Sequence, residues 1–131
     1  MRTINPRGSV APVGGYSHGV ATGDALVFVS GQTPEAADGS VSPEPEQQLR
    51  QIWANVNAVL TAAGLDVSDL VQVRTYLADR SHREINTKVR REVLGAHEPA
   101  LTVVVCDLFE PGWVAEIEAM ARVPSSSLQP S

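Results

Sequence analysis

The sequence predicts a two-layer α+β fold in which a mixed β-sheet carries two helices on one of its faces. Two amphipathic segments with helical spacing are flanked and separated by short apolar or alternating segments that are typical of strands. When strands and helices alternate in this way, the helices bury their apolar stripes against the sheet. The length of 131 residues allows one domain, which we expect to span residues 1–123.

The first half of the chain predicts a hairpin after an irregular start. Residues 16–20 and 25–30 are the predicted strands, and residues 22–24, which read Thr-Gly-Asp, are typical of the turn between them. Residues 33–41 are predicted to form a loop that contains a second turn at an Asp-Gly pair.

The most regular segment predicts a helix that begins at Ser42 and ends at Gly64. Ser42 is a candidate N-cap, Pro43 suits the first turn, and the glutamates that follow interact favourably with the helix dipole. Apolar side chains recur at intervals of three and four residues: Leu49, Ile52, Trp53, Val56, Val59, Leu60 and Ala63. Gly64 is a typical C-terminal stop.

A strand and a second helix are predicted next. Residues 70–78 alternate, so one side is apolar and the other mixed; we expect the apolar side to consist of Val71, Val73, Thr75 and Leu77. Ser81 and Glu84 form the pattern of a capping box and predict a helix that ends near Gly95.

Two further strands complete the predicted sheet. They span residues 101–108 and 114–122, with a turn at residues 110–112 between them. The tail at residues 124–131 is rich in serine and proline, and we expect it to be disordered.

Composition and charge argue against several classes of protein. Hydrophobic residues make up 43% of the chain, but no apolar run approaches the roughly 20 residues of a membrane span. The N-terminus lacks the pattern of a secretory signal, so we expect a cytoplasmic protein. Cys106 is the single cysteine, which argues against a disulfide or a zinc site. The net charge of −5 without a dense Lys/Arg cluster argues against a nucleic-acid partner.

Two segments are candidates for a functional site. Ser30, Gly31 and Gln32 follow a buried strand, and the glycine leaves room for a ligand to approach the backbone, although a simple strand end is the alternative. The last predicted strand places Glu116 and Glu118 on the face opposite its small apolar residues. These carboxylates either face solvent or lie in a cleft, where they become candidates for acid–base chemistry.

A series of short motifs occurs in order along nearly the whole domain. The motifs are Asn5-Pro6, Gly15-Tyr16-Ser17, Val29-Ser30-Gly31-Gln32, Leu60-x-x-Ala63-Gly64, Asn86, Pro99-Ala100 and Glu116-Ile117-Glu118-Ala119-Met120-Ala121. Together they resemble the Rid family, the YjgF-like reactive intermediate deaminases. The resemblance implies a chorismate-mutase-like fold and a homotrimer with small-molecule clefts between its subunits. It also implies hydrolysis of imines and enamines to ketoacids and ammonia without a metal or an organic cofactor.

The resemblance also implies roles for individual residues. Glu116 would polarise water or orient the imine, Tyr16 would line the pocket, and Gly31 would supply backbone contacts. Asn86 matches a position with a structural role. Family members use the arginine of a Pro-Ala-Arg-Thr motif to bind the substrate carboxylate, whereas this chain has Leu101 at that position.

The change from arginine to leucine alters the expected specificity. Leu101 and Val103 share one apolar strand face, so the substrate contacts expected there are apolar. A charge-assisted hydrogen bond to a carboxylate contributes roughly 1.5–3 kcal/mol, so we expect 2-imino acids to bind poorly. Arg74 is a candidate replacement cation, with a surface ion pair as its alternative. His18 is a candidate general base, with an incidental position near a strand end as its alternative.

Three functional hypotheses follow for this chain. The first is a cofactor-independent enzyme that hydrolyses a reactive imine, an enamine or a related labile intermediate. The second is a trimeric module that binds a small ligand without turning it over. The third is a ribonuclease or translation inhibitor, which the acidic charge balance makes the weakest of the three.

Overall fold

The fold is described by a computed structural model that covers residues 2–12, 16–21 and 25–124. The strands are β1 (Arg2–Ile4), β2 (Gly19–Ala21), β3 (Leu26–Gln32), β4 (Leu70–Leu77), β5 (Ala100–Val105) and β6 (Ala115–Arg122). The helices are α1 (Pro45–Ala62) and α2 (Arg83–Leu94). A short 3-10 turn follows α1 at Val67–Asp69, and another precedes α2 at Arg80–His82. The predicted turn at residues 22–24 and residues 125–131 of the predicted tail lie outside the described residues.

The strands form one mixed sheet in the order β1-β2-β3-β6-β4-β5. Strand β6 lies in the middle and pairs antiparallel with both β3 and β4, whereas β4 and β5 pair parallel. A parallel pair needs a long crossover connection, and α2 supplies it between β4 and β5. Both helices cover one face of the sheet, which confirms the predicted two-layer α+β fold.

The core lies between the helices and the sheet. The apolar stripe of α1 is fully buried, with Trp53 as its largest side chain. In β6 every second residue is buried, and these residues are Ala115, Ile117, Ala119 and Ala121. Small side chains let the helices approach this strand closely, and the predicted alternation of β6 is confirmed. Among the described residues, no helix is both long enough and apolar enough to cross a membrane.

Both helices begin later than the sequence predicts. Helix α1 has Glu44 as its N-cap and Pro45 in its first turn, so Pro45 and not Pro43 occupies the favourable first position. The predicted capping box at Ser81 is wrong, because the side chain of Asp79 accepts the backbone N–H of Ser81 and caps the preceding 3-10 turn. Helix α2 then starts after His82 without a side-chain cap.

The predicted alternation of β4 is wrong at its first two residues. Leu70 is buried and Val71 is exposed, the reverse of the prediction. The pairing between β4 and β6 shifts register between Leu70 and Gln72, and such a bulge reverses the side-chain direction locally. From Val73 onwards the predicted apolar side faces the core.

Candidate functional site

One cleft brings together three of the residues that the sequence predicts for the site. Tyr16, Gly31 and Glu116 line an open cavity of about 830 Å³ on the sheet face that the helices leave free. The cavity lies where β3 ends and β6 begins, beside the loop that follows β3 and the loop that joins β5 to β6. We refer to this cavity as the Glu116 cleft. Its geometry agrees with the pocket that the Ser-Gly-Gln segment suggests.

A β-bulge shapes the bottom of the Glu116 cleft. Val29 pairs with Ala119 and Gln32 pairs with Ile117, so two residues of β3, Ser30 and Gly31, lie opposite a single residue of β6. Bulges of this kind bend the strand and redirect side chains, and they are common beside active sites. The sequence identifies Gly31 as a candidate site residue, but it does not predict the bulge.

Gly31 is in close contact with the carboxylate of Glu116. A Cβ atom added at Gly31 would lie 2.2 Å from Oε2 of Glu116, far inside van der Waals contact. Any larger side chain would therefore displace the carboxylate. The conformation of Glu116 in this cleft depends on glycine at position 31.

Burial raises the pKa of the Glu116 carboxyl above its ordinary value, and the negative charge of Glu118 raises it further. A carboxyl group in this state keeps its proton to a higher pH than a solvent-exposed glutamate does. It can accept a proton from water when ionised and return it to a leaving group when protonated. Among the described residues, no group of three or more His, Cys, Asp or Glu side chains could hold a metal ion.

His18, Ser30 and Gln32 support the bottom of the cleft through a hydrogen-bond network. Nε2 of Gln32 donates to Nδ1 of His18 at 3.1 Å and to the carbonyl of Ser30 at 3.1 Å. Nε2 of His18 donates to the carbonyl of Val10 at 2.7 Å, and the Ser30 hydroxyl donates to the carbonyl of Ser17 at 2.6 Å. Both ring nitrogens of the buried His18 are occupied, so this geometry favours a positioning role over that of a general base.

Arg74 forms an ion pair and does not line the Glu116 cleft. Its Nη1 lies 3.0 Å from Oε1 of Glu118, and the Tyr76 hydroxyl donates to the same oxygen. The hydrogen bond to Glu118 raises the pKa of Tyr76. Arg74 lines a separate recess of about 250 Å³ on the same face of the sheet. The ion-pair alternative for Arg74 is the one that this geometry favours.

Leu101 and Val103 lie away from the Glu116 cleft within one chain. Leu101 pairs with Val73, which is buried on the face that the helices cover, and paired residues of neighbouring strands share a face. Val103 lies two residues further along β5 and shares that face. Glu116 is on the other face of the sheet. The two apolar residues are 41% and 40% exposed at the sheet edge, which leaves them open to contact by another surface.

Asn86 lies in the helical layer and not in the cleft. It is buried on α2, and its Oδ1 has no hydrogen-bond partner among the described residues. This position agrees with a structural role.

Two buried polar residues of α1, which the sequence analysis does not identify, hold the loops beside the cleft. Gln48 donates to the carbonyl of Gly112 at 3.0 Å and accepts the N–H of Val114 at 2.8 Å. Asn55, two turns later on α1, donates to the carbonyls of Thr33 and Glu35 at 2.9 Å each. The sequence signal that could have identified these residues is a pair of amide side chains, seven residues apart, beside the apolar stripe of α1.

This chain is similar to several known proteins over most of its length. A family model described as Endoribonuclease L-PSP matches residues 7–123. A RutC family protein of Pyrococcus horikoshii is 33% identical over 112 residues, which cover 84% of this chain and 88% of that protein. A 2-iminobutanoate/2-iminopropanoate deaminase of Salmonella typhimurium is 37% identical over 79 residues, 60% of this chain and 61% of the deaminase. The structure of Escherichia coli TdcF with bound serine matches with a TM-score of 0.89 and 26% identity, over 95% of this chain and 100% of TdcF.

Proposed function

This chain belongs to the endoribonuclease L-PSP family, which includes the Rid proteins, and we propose that it is a cofactor-independent hydrolase of a reactive imine or enamine. The observation that carries the proposal is the contact of Gly31 with the half-buried Glu116 in an open cleft that Tyr16 also lines. The name of the Salmonella relative supports imine deamination as the reaction class.

The proposed reaction needs one group that both accepts and donates a proton, and Glu116 is that group. Its carboxylate takes a proton from water as the water oxygen adds to the imine carbon. The imine reacts in its protonated form, so the addition gives a neutral carbinolamine, which receives the proton from Glu116 on its nitrogen. As the C–N bond breaks, the carbinolamine hydroxyl loses its proton to the departing ammonia, so a carbonyl compound and an ammonium ion leave and the Glu116 carboxylate is regenerated. Its raised pKa makes the Glu116 carboxylate a stronger proton acceptor than an exposed glutamate.

We propose that a second subunit completes the site in a homotrimer. Strand β5 is an edge strand, and each of its six residues is exposed although most of them are apolar. An exposed apolar edge is typical of a surface that another chain covers. Leu101 and Val103 of one subunit would then contact the substrate that Glu116 of the neighbouring subunit acts on.

Leu101 makes the proposed substrate differ from a 2-imino acid. Leucine supplies no hydrogen-bond donor to a carboxylate, and an unpaired carboxylate loses solvation when it enters an apolar site. The missing charge-assisted hydrogen bond alone would weaken binding by roughly 1.5–3 kcal/mol.

A carboxylate-to-amide substitution tests the proposed role of Glu116. We expect Glu116→Gln to lower kcat for ammonia release from a panel of freshly generated imines by about 100-fold or more, because the amide cannot exchange the proton. Glu84→Gln is the matched control, since Glu84 is an exposed residue of α2 far from the cleft. Unchanged kcat in Glu116→Gln on every imine that the protein hydrolyses would remove Glu116 from its proposed role.

Two observations bear on the alternative functions. TdcF holds a serine in its solved structure, which favours small-ligand binding as the second candidate function for this fold. Thermal stabilisation by a metabolite that is recovered chemically intact would support binding without turnover. The family description names an endoribonuclease, but the net charge of −5 favours a small substrate over RNA.

A further inference from the structure

We infer that the Glu116 cleft selects imines that carry an aromatic or other apolar group and no carboxylate. This inference names the substrate class of the proposed hydrolase and therefore rests on the proposed function. It is drawn from the apolar surface of the cleft, from the charges beside it and from the residue at position 101.

Aromatic side chains form much of the cleft surface. Tyr16, Phe109 and Trp113 all line the cavity, together with the apolar side chain of Val41. Phe109 is 88% exposed, and Tyr16 is 50% exposed. Exposed aromatic surface beside a concave site is stabilised when an apolar ligand covers it, at roughly 25 cal/mol per Å² of apolar area removed from water.

The charged side chains of the same cleft would repel an anion. Within the described residues, the lining contains three carboxylates, those of Glu35, Glu110 and Glu116, and no Lys, Arg or His. An aromatic cleft with this charge attracts cations through both Coulomb and cation–π interactions. A protonated imine is such a cation, whereas the carboxylate of an imino acid would face repulsion.

Leu101 of a neighbouring subunit would favour the same substrates across the proposed subunit interface. A neighbouring subunit would add Leu101 and Val103 to the cleft, and neither side chain can pair with a carboxylate. The substrate would then meet apolar groups from both subunits and carboxylates from one.

The inferred chemistry defines which reaction supplies the substrate. A protonated aldimine and one water molecule give an aldehyde and an ammonium ion, so the step is balanced without an oxidant or a reductant. The aldimine itself forms when a primary amine loses two hydrogens. An amine-oxidising reaction is therefore the class that would precede this enzyme.

Two imines that differ only by a carboxylate test the inference. A flavin amine oxidase generates phenylacetaldimine from phenethylamine, and an L-amino-acid oxidase generates 2-imino-3-phenylpropanoate from phenylalanine. Ammonia release above the uncatalysed rate is measured for both with the full chain. We expect kcat/KM to be at least about tenfold higher for the amine-derived imine, the ratio that 1.4 kcal/mol of discrimination produces.

A variant of Phe109 tests the aromatic surface separately. Because Phe109 is almost fully exposed, Phe109→Ala should fold normally. We expect it to raise KM severalfold more for the phenethylamine-derived imine than for the ethylamine-derived imine. An equal effect on both imines would contradict the inferred role of the aromatic surface.

The outcomes separate the inference from the proposed function. Equal turnover of the two phenyl imines, or a preference for the phenylalanine-derived imine, overturns the inference and leaves the hydrolase proposal intact. A preference for the acid would direct attention to Arg90 and Arg91, which line a recess of about 400 Å³ with Leu101. If the protein turned over neither these imines nor any other, the proposed function itself would be overturned.

Discussion

Gly31 is the residue on which the conformation of the proposed catalytic group most directly depends. The β-bulge brings the backbone of β3 against the side chain of Glu116, and only a hydrogen atom fits between them. The same absence of a side chain leaves room for a small substrate beside the carboxylate. Two different requirements, space for the carboxylate and space for the substrate, therefore select glycine at one position.

We expect Gly31→Ala to lower kcat/KM for imine hydrolysis by roughly 10- to 100-fold, because the new methyl group displaces the Glu116 carboxylate by about 1 Å or more. The fold should remain, since the atoms that must move belong to the flexible end of one side chain. Kinetics and circular dichroism check the two parts. In the double variant with Glu116→Gln, the loss should be clearly smaller than the sum of the two single losses; fully additive losses would show that Gly31 acts independently of Glu116.

At the scale of the elements, helix α1 connects the core to the cleft. Its apolar stripe packs on the sheet, while Gln48 and Asn55 bond to the backbone of the two loops beside Glu116. Gln48 is 3% exposed and satisfies three backbone groups, of Ser42, Gly112 and Val114. Buried backbone groups need partners, so these loops take their positions from α1.

We expect Gln48→Ala to lower the free energy of unfolding by about 2–4 kcal/mol, since it removes a buried side chain and leaves backbone groups without partners. Urea denaturation measures this loss. Gln47→Ala, at the exposed neighbouring position, is the control and should stay within about 0.5 kcal/mol of the original protein. A similar stability of both variants would mean that the loops do not depend on Gln48.

The elements also show which features a sequence pattern can predict. Helical spacing predicts α1 and α2, and alternation predicts β6 with its glutamates opposite the core, because these patterns are local. The bulges in β3 and β4 and the amide bonds of Gln48 depend on which strand or loop is adjacent, and a local pattern carries no such information. The start of α2 was missed for a related reason: Asp79 caps a 3-10 turn at Arg80–His82, and α2 begins only after this turn, without a side-chain cap.

At the scale of the whole molecule, some of the predicted site residues lie together in one chain and others do not. The motifs predict Tyr16, Gly31 and Glu116, and one chain brings these three together. Leu101 and Val103 lie on the opposite face of an edge strand, so one chain alone cannot bring them to Glu116. Either these two residues take no part in the site, or the site forms between two copies of the chain.

A gain of activity in mixed oligomers distinguishes these possibilities. Leu101→Arg should restore binding of a carboxylate, so sites that combine Arg at position 101 with an intact Glu116 should hydrolyse 2-iminopropanoate. The original chain lacks this arginine, and the double variant Leu101→Arg/Glu116→Gln lacks the carboxylate, so each alone should be nearly inactive on this substrate. After the two are unfolded and refolded together in equal amounts, roughly a quarter of the sites between neighbouring subunits of a trimer should pair the required residues.

The rate of ammonia release from 2-iminopropanoate by the mixture, compared with the rate of each parent alone, measures this pairing. The Leu101→Arg single variant gives the rate expected when every site is competent, and light scattering after size-exclusion chromatography reports the assembly. Activity in the mixture near a quarter of that rate requires residue 101 and Glu116 to act from different subunits. If Leu101→Arg is active but the mixture is not, residue 101 and Glu116 act within one chain. This result would contradict the placement of Leu101 on the face of the sheet opposite Glu116, and the exposed apolar edge of β5 would then have another role than completing the site.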